Sequence, residues 1–318
     1  SVLLIEKNNL GGVCLNEGCI PTKTLLYSAK TYDSAKHASK YAINVSEVSF
    51  DLSKIIVRKS KVVRKLVLGV KAKLASNNVA IVSGEAQIID KNTVRCGEET
   101  YEGENLILCT GSETFIPPIP GVETVNYWTH RDALDNKELP ASLAIVGGGV
   151  IGMEFASFFN SLGVQVTVVE MLDEILGGMD KELSALLRAE YAKRGIKFLL
   201  STKVVGLSQM EGAAVVSYEN AEGSGSVVAE KLLMSVGRRP VTKGFGLENL
   251  NLEKTERGAV KVDEKMQTSV PGVYVCGDLT GFSLLAHTAV REAEVAVHSI
   301  LGKEDTMSYR AIPGVVYT

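Results

Sequence analysis

An α/β fold with parallel sheets is what this sequence of 318 residues predicts, and three observations predict it. Residues 143–170 (LAIVGGGVIGMEFASFFNSLGVQVTVVE) read as a strand, a glycine turn, a helix and a second strand. The opening run SVLLIE ends in an acid much as VTVVE does, which is how a buried parallel strand reads. Apolar runs of strand length then alternate with stretches of helical period along the rest of the chain.

Length and composition narrow the field. A chain of this length implies about two domains. Hydrophobic residues at 45% and charged residues at 22% are the balance of a folded protein with a real core, which excludes disorder and collagen. The net charge of -3, with no basic patch, makes nucleic acid an unexpected partner. No apolar run approaches the roughly 20 residues that span a bilayer, so no membrane association is expected. The five cysteines are too sparse for a secreted disulfide framework, and no cationic leader precedes an apolar stretch. The expected location is therefore cytoplasmic.

The elements follow in order. Residues 1–6 form a strand, while 29–40 and 51–76 read as helices, the second with a cationic face opposite its apolar stripe. Short strands at 79–82, 86–89 and 93–96, separated by Gly84, Asp90 to Asn92 and Gly97, read as a β-meander. Residues 104–111 (ENLILCTG) are a strand entering a turn, and 115–121, with three prolines, are a linker. In the 143–170 unit, Phe155, Phe158, Phe159 and Leu162 make the apolar stripe and Gly163 stops the helix. A helix at Lys181–Lys193 precedes strands at 197–200, 213–218 and 232–236. Residues 270–278 (VPGVYVCGD) are a further strand, 288–300 a helix, and 312–318 (IPGVVYT) a final apolar strand.

Two constellations carry chemistry. Gly147-Gly148-Gly149-Val150-Ile151-Gly152 follows a strand and opens a helix, with Glu170 closing the next strand. Gly147 permits the tight turn, Gly149 lets a pyrophosphate approach the backbone, and Gly152 lets helix pack on strand. The helix N-terminus offers unpaired N–H groups to phosphate. Glu170 would bond ribose hydroxyls. The acids that follow it, with no arginine, favour NAD over NADP. The second constellation is Cys14 and Cys19 within GGVCLNEGCIPTK. On a regular helix two residues five apart point about 140° from each other, so a bridge needs an irregular turn, which Gly18 permits. Pro21 suits the first turn of a helix starting near Cys19, where the helix terminus favours a thiolate. The spacing alone leaves inert packed thiols and half a metal site as alternatives. No second Cys/His cluster accompanies the pair, so no metal is expected.

The run GGVCLNEGCIPTK resembles the redox-disulfide segment of the flavin-dependent pyridine nucleotide-disulfide oxidoreductases, and its LN and CIPTK details are most similar to the dihydrolipoamide dehydrogenase branch. Thr110-Gly111 after ENLILC, the GGGVIGMEFA run, VGRRP from Val236 to Pro240, and VYVCGD resemble further motifs of that family in the same order. The resemblance implies two Rossmann-like nucleotide-binding domains, each with a parallel sheet and a small β-meander, the FAD domain being interrupted by the NAD domain. The implied boundaries are 1–115 and 241–303 for the FAD part, 116–240 for the NAD domain, and 304–318 for a stub of an interface domain. It also implies a chain cut at both ends, lacking the first βα unit of the FAD domain and most of the interface domain.

The cofactors implied are FAD and NAD. Cys14 would exchange with a dithiol substrate, Cys19 would face the flavin, and Lys23 would lie near the flavin's reactive nitrogen and pair with Glu154. Lys23 otherwise reads as a solvated helix lysine, and Glu154 as a first-turn acid favoured by the macrodipole. Glu6 would contact the FAD ribose and Asp278 the ribityl chain. Gly12, Thr110, Gly111, Gly237 and Ala286 would line cofactor sites at matching motif positions. His287 would orient backbone beside the flavin, whereas His37, His130 and His298 carry no motif. Cys96, Cys109 and Cys276 read as packed thiols. The expected activity is oxidation of dihydrolipoamide or a lipoyl-bearing protein by an enzyme that is a homodimer when complete. The alternatives are a mercuric or glutathione type of reductase, or a catalytically silent NAD-binding fragment.

Overall fold

A computed structural model describes all residues, 1–318. The chain opens with β1 (Leu3–Glu6), α1 (Gly12–Glu17), α2 (Cys19–Lys36) and α3 (Leu52–Ser76). Six short strands follow: β2 (Ala80–Ser83), β3 (Ala86–Ile88), β4 (Thr93–Cys96), β5 (Glu99–Glu102), β6 (Leu106–Leu108) and β7 (Ser112–Thr114). The middle of the chain holds β8 (Tyr127–Trp128), α4 (His130–Asp135), β9 (Ser142–Val146), α5 (Val150–Ser161), β10 (Gln165–Val169), α6 (Lys181–Lys193) and β11 (Lys197–Leu199). Next come β12 (Lys203–Met210), β13 (Ala213–Asn220), β14 (Gly223–Ala229) and β15 (Lys231–Met234). The last elements are β16 (Arg238–Pro240), β17 (Val273–Val275) and α7 (Ala286–Ile300).

These elements fall into two compact units. The first comprises Ser1–Leu10, Leu68–Thr114 and Arg238–Pro313, and the second Gly11–Val67, Phe115–Gly237 and Gly314–Thr318. The segment Gly11–Val67, placed by the sequence reading with the FAD part, thus packs in the second unit. The cause is visible in the cores: Leu25, Leu26 and Ala29 of α2, with Leu52 and Ile56 of α3, join one buried cluster with Phe155, Phe158 and Phe159 of α5.

The second unit is built on a five-stranded parallel sheet in the order β11-β10-β9-β15-β8. Along β9 the side chains alternate between its faces. Leu143 and Ile145 enter the α-helical core, while Ala144 and Val146 enter a second core under the antiparallel sheet β12-β13-β14. The chain leaves β9 for β10 on one side and returns as β15 on the other, so the strand order reverses at β9. In open α/β sheets that reversal leaves a crevice at the carboxyl ends of the strands.

In the first unit, parallel pairs β1–β2 and β6–β17 accompany the antiparallel β3-β4-β5 meander and the β7–β16 pair. Leu108, Val273, Val275 and Leu279 pack with Phe245 and Leu247 in one core. The opposite face of β17 presents Tyr274 and Cys276 to Val295 and Ala296 of α7.

Four expectations need correction. The strand read at 79–82 as part of the meander, β2, pairs in parallel with β1 instead, and the meander is β3-β4-β5. Cys109, read as a packed thiol, is exposed. Residues 312–318 are not a strand, because no neighbouring strand pairs with them. The helix expected at 29–40 is continuous with the one expected to start near Cys19, the two forming the single helix Cys19–Lys36.

Candidate active site

The redox pair sits where α1 meets α2. Gly11 takes a φ of +107° before α1, and Gly18 breaks the helix between the two cysteines. A side chain at Gly18 would stand 3.0 Å from the Val13 carbonyl oxygen, so glycine is required for the close approach as well. The break turns Cys19 back over α1, and Cys14 and Cys19 are joined by a disulfide with their Cα atoms 4.7 Å apart. Cys19 is the first residue of α2, whose N-terminus has no side-chain cap; unpaired amides and the helix dipole there favour a thiolate once the bond is reduced. Thr22 closes the first turn, its hydroxyl donating to the Gly18 carbonyl at 2.7 Å.

One turn beyond Cys19, on the same face of α2, the Lys23 ammonium donates to both oxygens of Glu154 at 2.6 and 2.7 Å. Glu154 lies in the first turns of α5 and is buried. The sequence paired these residues; it did not indicate Tyr317. The Tyr317 amide donates to Glu154 Oε1 at 3.1 Å, and its ring lies 5.0 Å from Lys23 Nζ. A buried carboxylate is costly unless its oxygens are met, and here an ammonium and an amide meet them.

The glycine turn after β9 has the geometry of a dinucleotide cradle. Gly147 has φ +105°, and a Cβ there would lie 2.2 Å from the Ser235 carbonyl oxygen. A Cβ at Gly152 would lie 2.3 Å from the Gly147 carbonyl oxygen. Gly149, by contrast, faces open space, and α5 begins there with no side-chain cap. The turn therefore leaves room for an anion beside the backbone at Gly149. Glu170 Oε2 accepts from the Gly148 amide at 2.5 Å and Oε1 from the Leu172 amide at 2.7 Å, which fixes the carboxylate beside the turn. The cations that follow are committed: Arg188 makes a two-pronged pair with Glu174 at 2.8 Å, and Lys181 pairs with Asp173 at 2.6 Å. The Arg188 guanidinium holds the Glu174 carboxyl below the usual carboxylate range. Gly237, with φ +119°, receives the Phe115 amide on its carbonyl at 3.0 Å.

In the first unit, Glu6 ends β1 and accepts from the Asn8 amide at 2.8 Å. Thr110 and Gly111 form the turn after β6, where the Thr110 hydroxyl donates to the Val241 carbonyl at 3.1 Å and the Val241 amide donates to the Gly111 carbonyl at 3.0 Å. Gly111 has φ +70° and open space beside it. Asp278 accepts from the Ser112 hydroxyl, which in turn accepts from Arg238 Nε at 2.7 Å. Ala286 is the exposed first residue of α7, a helix start without a side-chain cap, and His287 follows it at the surface. This unit thus presents acceptors and open glycine backbone of the kind that ribose and ribityl hydroxyls need. It has no strand–glycine–helix turn comparable with 147–152.

Sequence reading missed the Arg238–Ser112–Asp278 chain and the buried Glu292. VGRRP drew attention to Gly237, yet Arg238, far from Asp278 in sequence, gives no local signal. Glu292 Oε1 accepts from the Tyr309 hydroxyl at 2.8 Å, and Oε2 accepts from the Gly277 amide. Burial pushes the Glu292 carboxyl up.

A redox disulfide at a helix start, a dinucleotide cradle and a second α/β unit with its own acceptors define a class. Residues 1–293 match the pyridine nucleotide-disulphide oxidoreductase family, and the chain belongs to that family. Its members are FAD-dependent, NAD-linked disulfide oxidoreductases. Within it, the chain is 37% identical over 322 residues to a dihydrolipoyl dehydrogenase from Geobacillus stearothermophilus, covering all of this chain and 68% of that protein. It is 41% identical over 305 residues to the dihydrolipoyl dehydrogenase of Acholeplasma laidlawii, covering 94% and 89% of the two chains. Among solved structures, LpdA from Mycobacterium tuberculosis superposes with a TM-score of 0.90 at 25% identity, over all of this chain and 70% of that one. The HOCl-induced flavoprotein disulfide reductase RclA from Escherichia coli gives 0.83 at 30% identity, over 96% and 67%. The chain spans about two thirds of the length of several of these proteins. No helix is long and apolar enough to cross a membrane.

Proposed function

We propose that the Cys14–Cys19 pair oxidises dihydrolipoyl groups, free or protein-borne, and that the chain performs this as part of a cytoplasmic, homodimeric dihydrolipoyl dehydrogenase. The observation that carries the reading is the placement of the disulfide: one sulfur at a helix start, with the Lys23–Glu154 pair one turn away.

In the exchange, a substrate thiolate attacks Cys14 Sγ, and the Cys14–Cys19 bond breaks with Cys19 leaving as thiolate. The second substrate thiol, losing its proton, attacks the substrate sulfur of the mixed disulfide. That releases Cys14 as thiolate and the lipoyl ring as disulfide. The uncapped start of α2 lowers the cost of the charge on Cys19. Lys23 adds a positive charge on the same face of the helix, held in place by Glu154.

The residues also fit the cofactors of the family. Gly149 and the α5 amides would take the NAD pyrophosphate and Glu170 a ribose, with Gly147 and Gly152 shaping the turn. Glu6, Thr110, Gly111, Asp278 and Ala286 would meet FAD along its ribose and ribityl parts. Bound FAD would supply acceptance of the electron pair and its delivery to NAD⁺ as hydride. The commitment of Arg188 to Glu174 supports NAD rather than NADP, and so the lipoamide type over the NADPH-using glutathione and mercuric types.

The test is anaerobic titration with dihydrolipoamide, followed by alkylation and peptide mapping. Two new thiols, on Cys14 and Cys19, are expected. Cys19→Ser is expected to retain Cys14 as a covalent adduct when offered lipoamide disulfide. If dihydrolipoamide leaves the bond intact while dithiothreitol opens it, the reading is wrong. The complete cradle at 147–152 would then favour the second reading, an NAD-binding fragment without disulfide exchange.

A further inference from the structure

We propose that Cys109 and Cys276 form a second thiol pair, which hydroperoxides convert to a disulfide without involving Cys14 and Cys19. The inference is independent of the function proposed above. It starts from strand register. β6 and β17 run parallel with Ile107 opposite Tyr274 and Leu108 opposite Val275. The Cys276 amide donates to the Leu108 carbonyl at 3.1 Å, so the pairing continues one residue further and sets Cys109 beside Cys276. Side chains alternate along strands, and this face is identified by its neighbours. Ile107, Tyr274 and Cys276 all pack in the core against α7, whereas Leu108 and Val275 fill the opposite core. Cys109, two residues after Ile107, falls on the Cys276 face. Neighbouring strands lie about 4.8 Å apart, inside the roughly 4.4–6.8 Å that a disulfide spans.

The two thiols differ in the way a reactive pair requires. Cys109 is exposed and Cys276 is buried. The neighbouring Cys276 thiol holds the Cys109 thiol below its ordinary value, against desolvation and the nearby Glu292 carboxylate. The Cys109 neighbour, then burial, pushes Cys276 up. Cys109 is thus the attacking sulfur and Cys276 the resolving one. In the first step Cys109 thiolate attacks a peroxide oxygen; the O–O bond breaks, giving the sulfenic acid and an alkoxide or hydroxide. In the second, the Cys276 sulfur attacks the sulfenic sulfur; the S–O bond breaks, and water leaves with the Cys276 proton. Two thiols and one hydroperoxide give one disulfide, one alcohol or water, and one water. The remaining free thiol, Cys96, is buried in the β3-β4-β5 meander with no thiol beside it, and it serves as an internal control. The new bond would tie the ends of β6 and β17 next to the Ser112–Asp278 contact.

The experiment treats the full chain, with Cys14–Cys19 already oxidised, with hydrogen peroxide. Thiols are then counted under denaturing conditions and disulfides mapped without reduction. The expected result is a fall from three free thiols to one, a linked peptide pair carrying Cys109 and Cys276, and full recovery with dithiothreitol. Cys276→Ser is expected to abolish the link and leave Cys109 captured by dimedone as a sulfenic acid. Cys109→Ala is expected to leave Cys276 reduced. Three persisting thiols, a Cys109 sulfenic acid without the link in the unaltered chain, or a link to Cys14 or Cys19 would each overturn the proposal. Should a variant fail to fold, the map of the unaltered chain decides the matter alone.

Discussion

The two units start from similar sequence and arrive at different degrees of burial. In β10, Val166, Val168 and Val169 are almost wholly enclosed, whereas Leu3 of β1 is 37% exposed and Val2 just before it 62%. The runs share composition and a closing acid, Glu6 at the end of β1 and Glu170 just after β10; they differ in company. β10 lies between two parallel neighbours and sends Val166 and Val168 into the α-helical core, while β1 pairs with β2 alone. An apolar run therefore fixes that a segment can be buried, and the number of neighbours fixes how far it is. A two-stranded pairing is marginal by itself, so the second unit holds the more resistant structure.

The largest test of that contrast is in the core of the second unit. Phe158, 1% exposed and in edge contact with Phe159 at 5.1 Å, is expected to cost about 3–5 kcal/mol as Phe158→Ala, read by urea denaturation with separate probes for each unit. A loss confined to the first unit would break the comparison. Next in size is the cradle. Gly149→Ala has room in the protein and an ordinary φ of -71°, so its melting temperature without ligand should be unchanged. The stabilisation by NADH, about 2.7 kcal/mol at a hundredfold excess over Kd, should be lost. Gly152→Ala should lower the melting temperature even without ligand, since its methyl meets the Gly147 carbonyl. Equal behaviour of the two variants would refute the geometry given for the turn.

In the first unit the effects are smaller. Tyr309→Phe removes the hydroxyl that donates to Glu292 Oε1 and leaves that oxygen only the Thr280 hydroxyl at 3.5 Å; a loss of about 1–3 kcal/mol is expected. Ile5→Ala in half-buried β1 should cost about 1 kcal/mol, below the usual range for an enclosed isoleucine. Amide exchange should show β1 opening well before β9; equal protection would mean that β1 is held by more than β2.

What was legible in the sequence was local. Gly18 and Pro21 locate the break and restart around the cysteines, and 147–152 locates the cradle, because turn and helix-start chemistry acts over a few residues. The strands β12 and β14 were missed. Gly206, Ser208 and Gln209 in one, and Gly225 and Ser226 in the other, interrupt the alternation, and only pairing with β13 makes them strands. Tyr317 was invisible for a different reason: its contact with Glu154 runs through a backbone amide 163 residues away, which any residue type can supply. The same holds for the association of Gly11–Val67 with α5, which depends on shape rather than chain order.

The finest test of the contrast concerns proton uptake. Glu292 is fully enclosed in the first unit, and burial raises its carboxyl above the ordinary value of 4.5 against the opposing hydrogen bonds from Tyr309, Gly277 and Thr280. Between that value and the higher folded one, the native state holds a proton that the unfolded state has released. Stability therefore falls as pH rises through this window, and the deficit is constant above it. Glu292→Gln removes the titration. One amide oxygen can still accept from the Gly277 amide, and the NH₂ can donate to the Tyr309 hydroxyl oxygen, so little packing changes. The melting temperature of Glu292→Gln minus that of the parent should grow more positive as pH is raised from about 4 and then level off. A difference that is flat with pH would mean that the three donors just balance burial, and one that falls as pH rises would mean that they outweigh it and hold the carboxylate charged in the folded state.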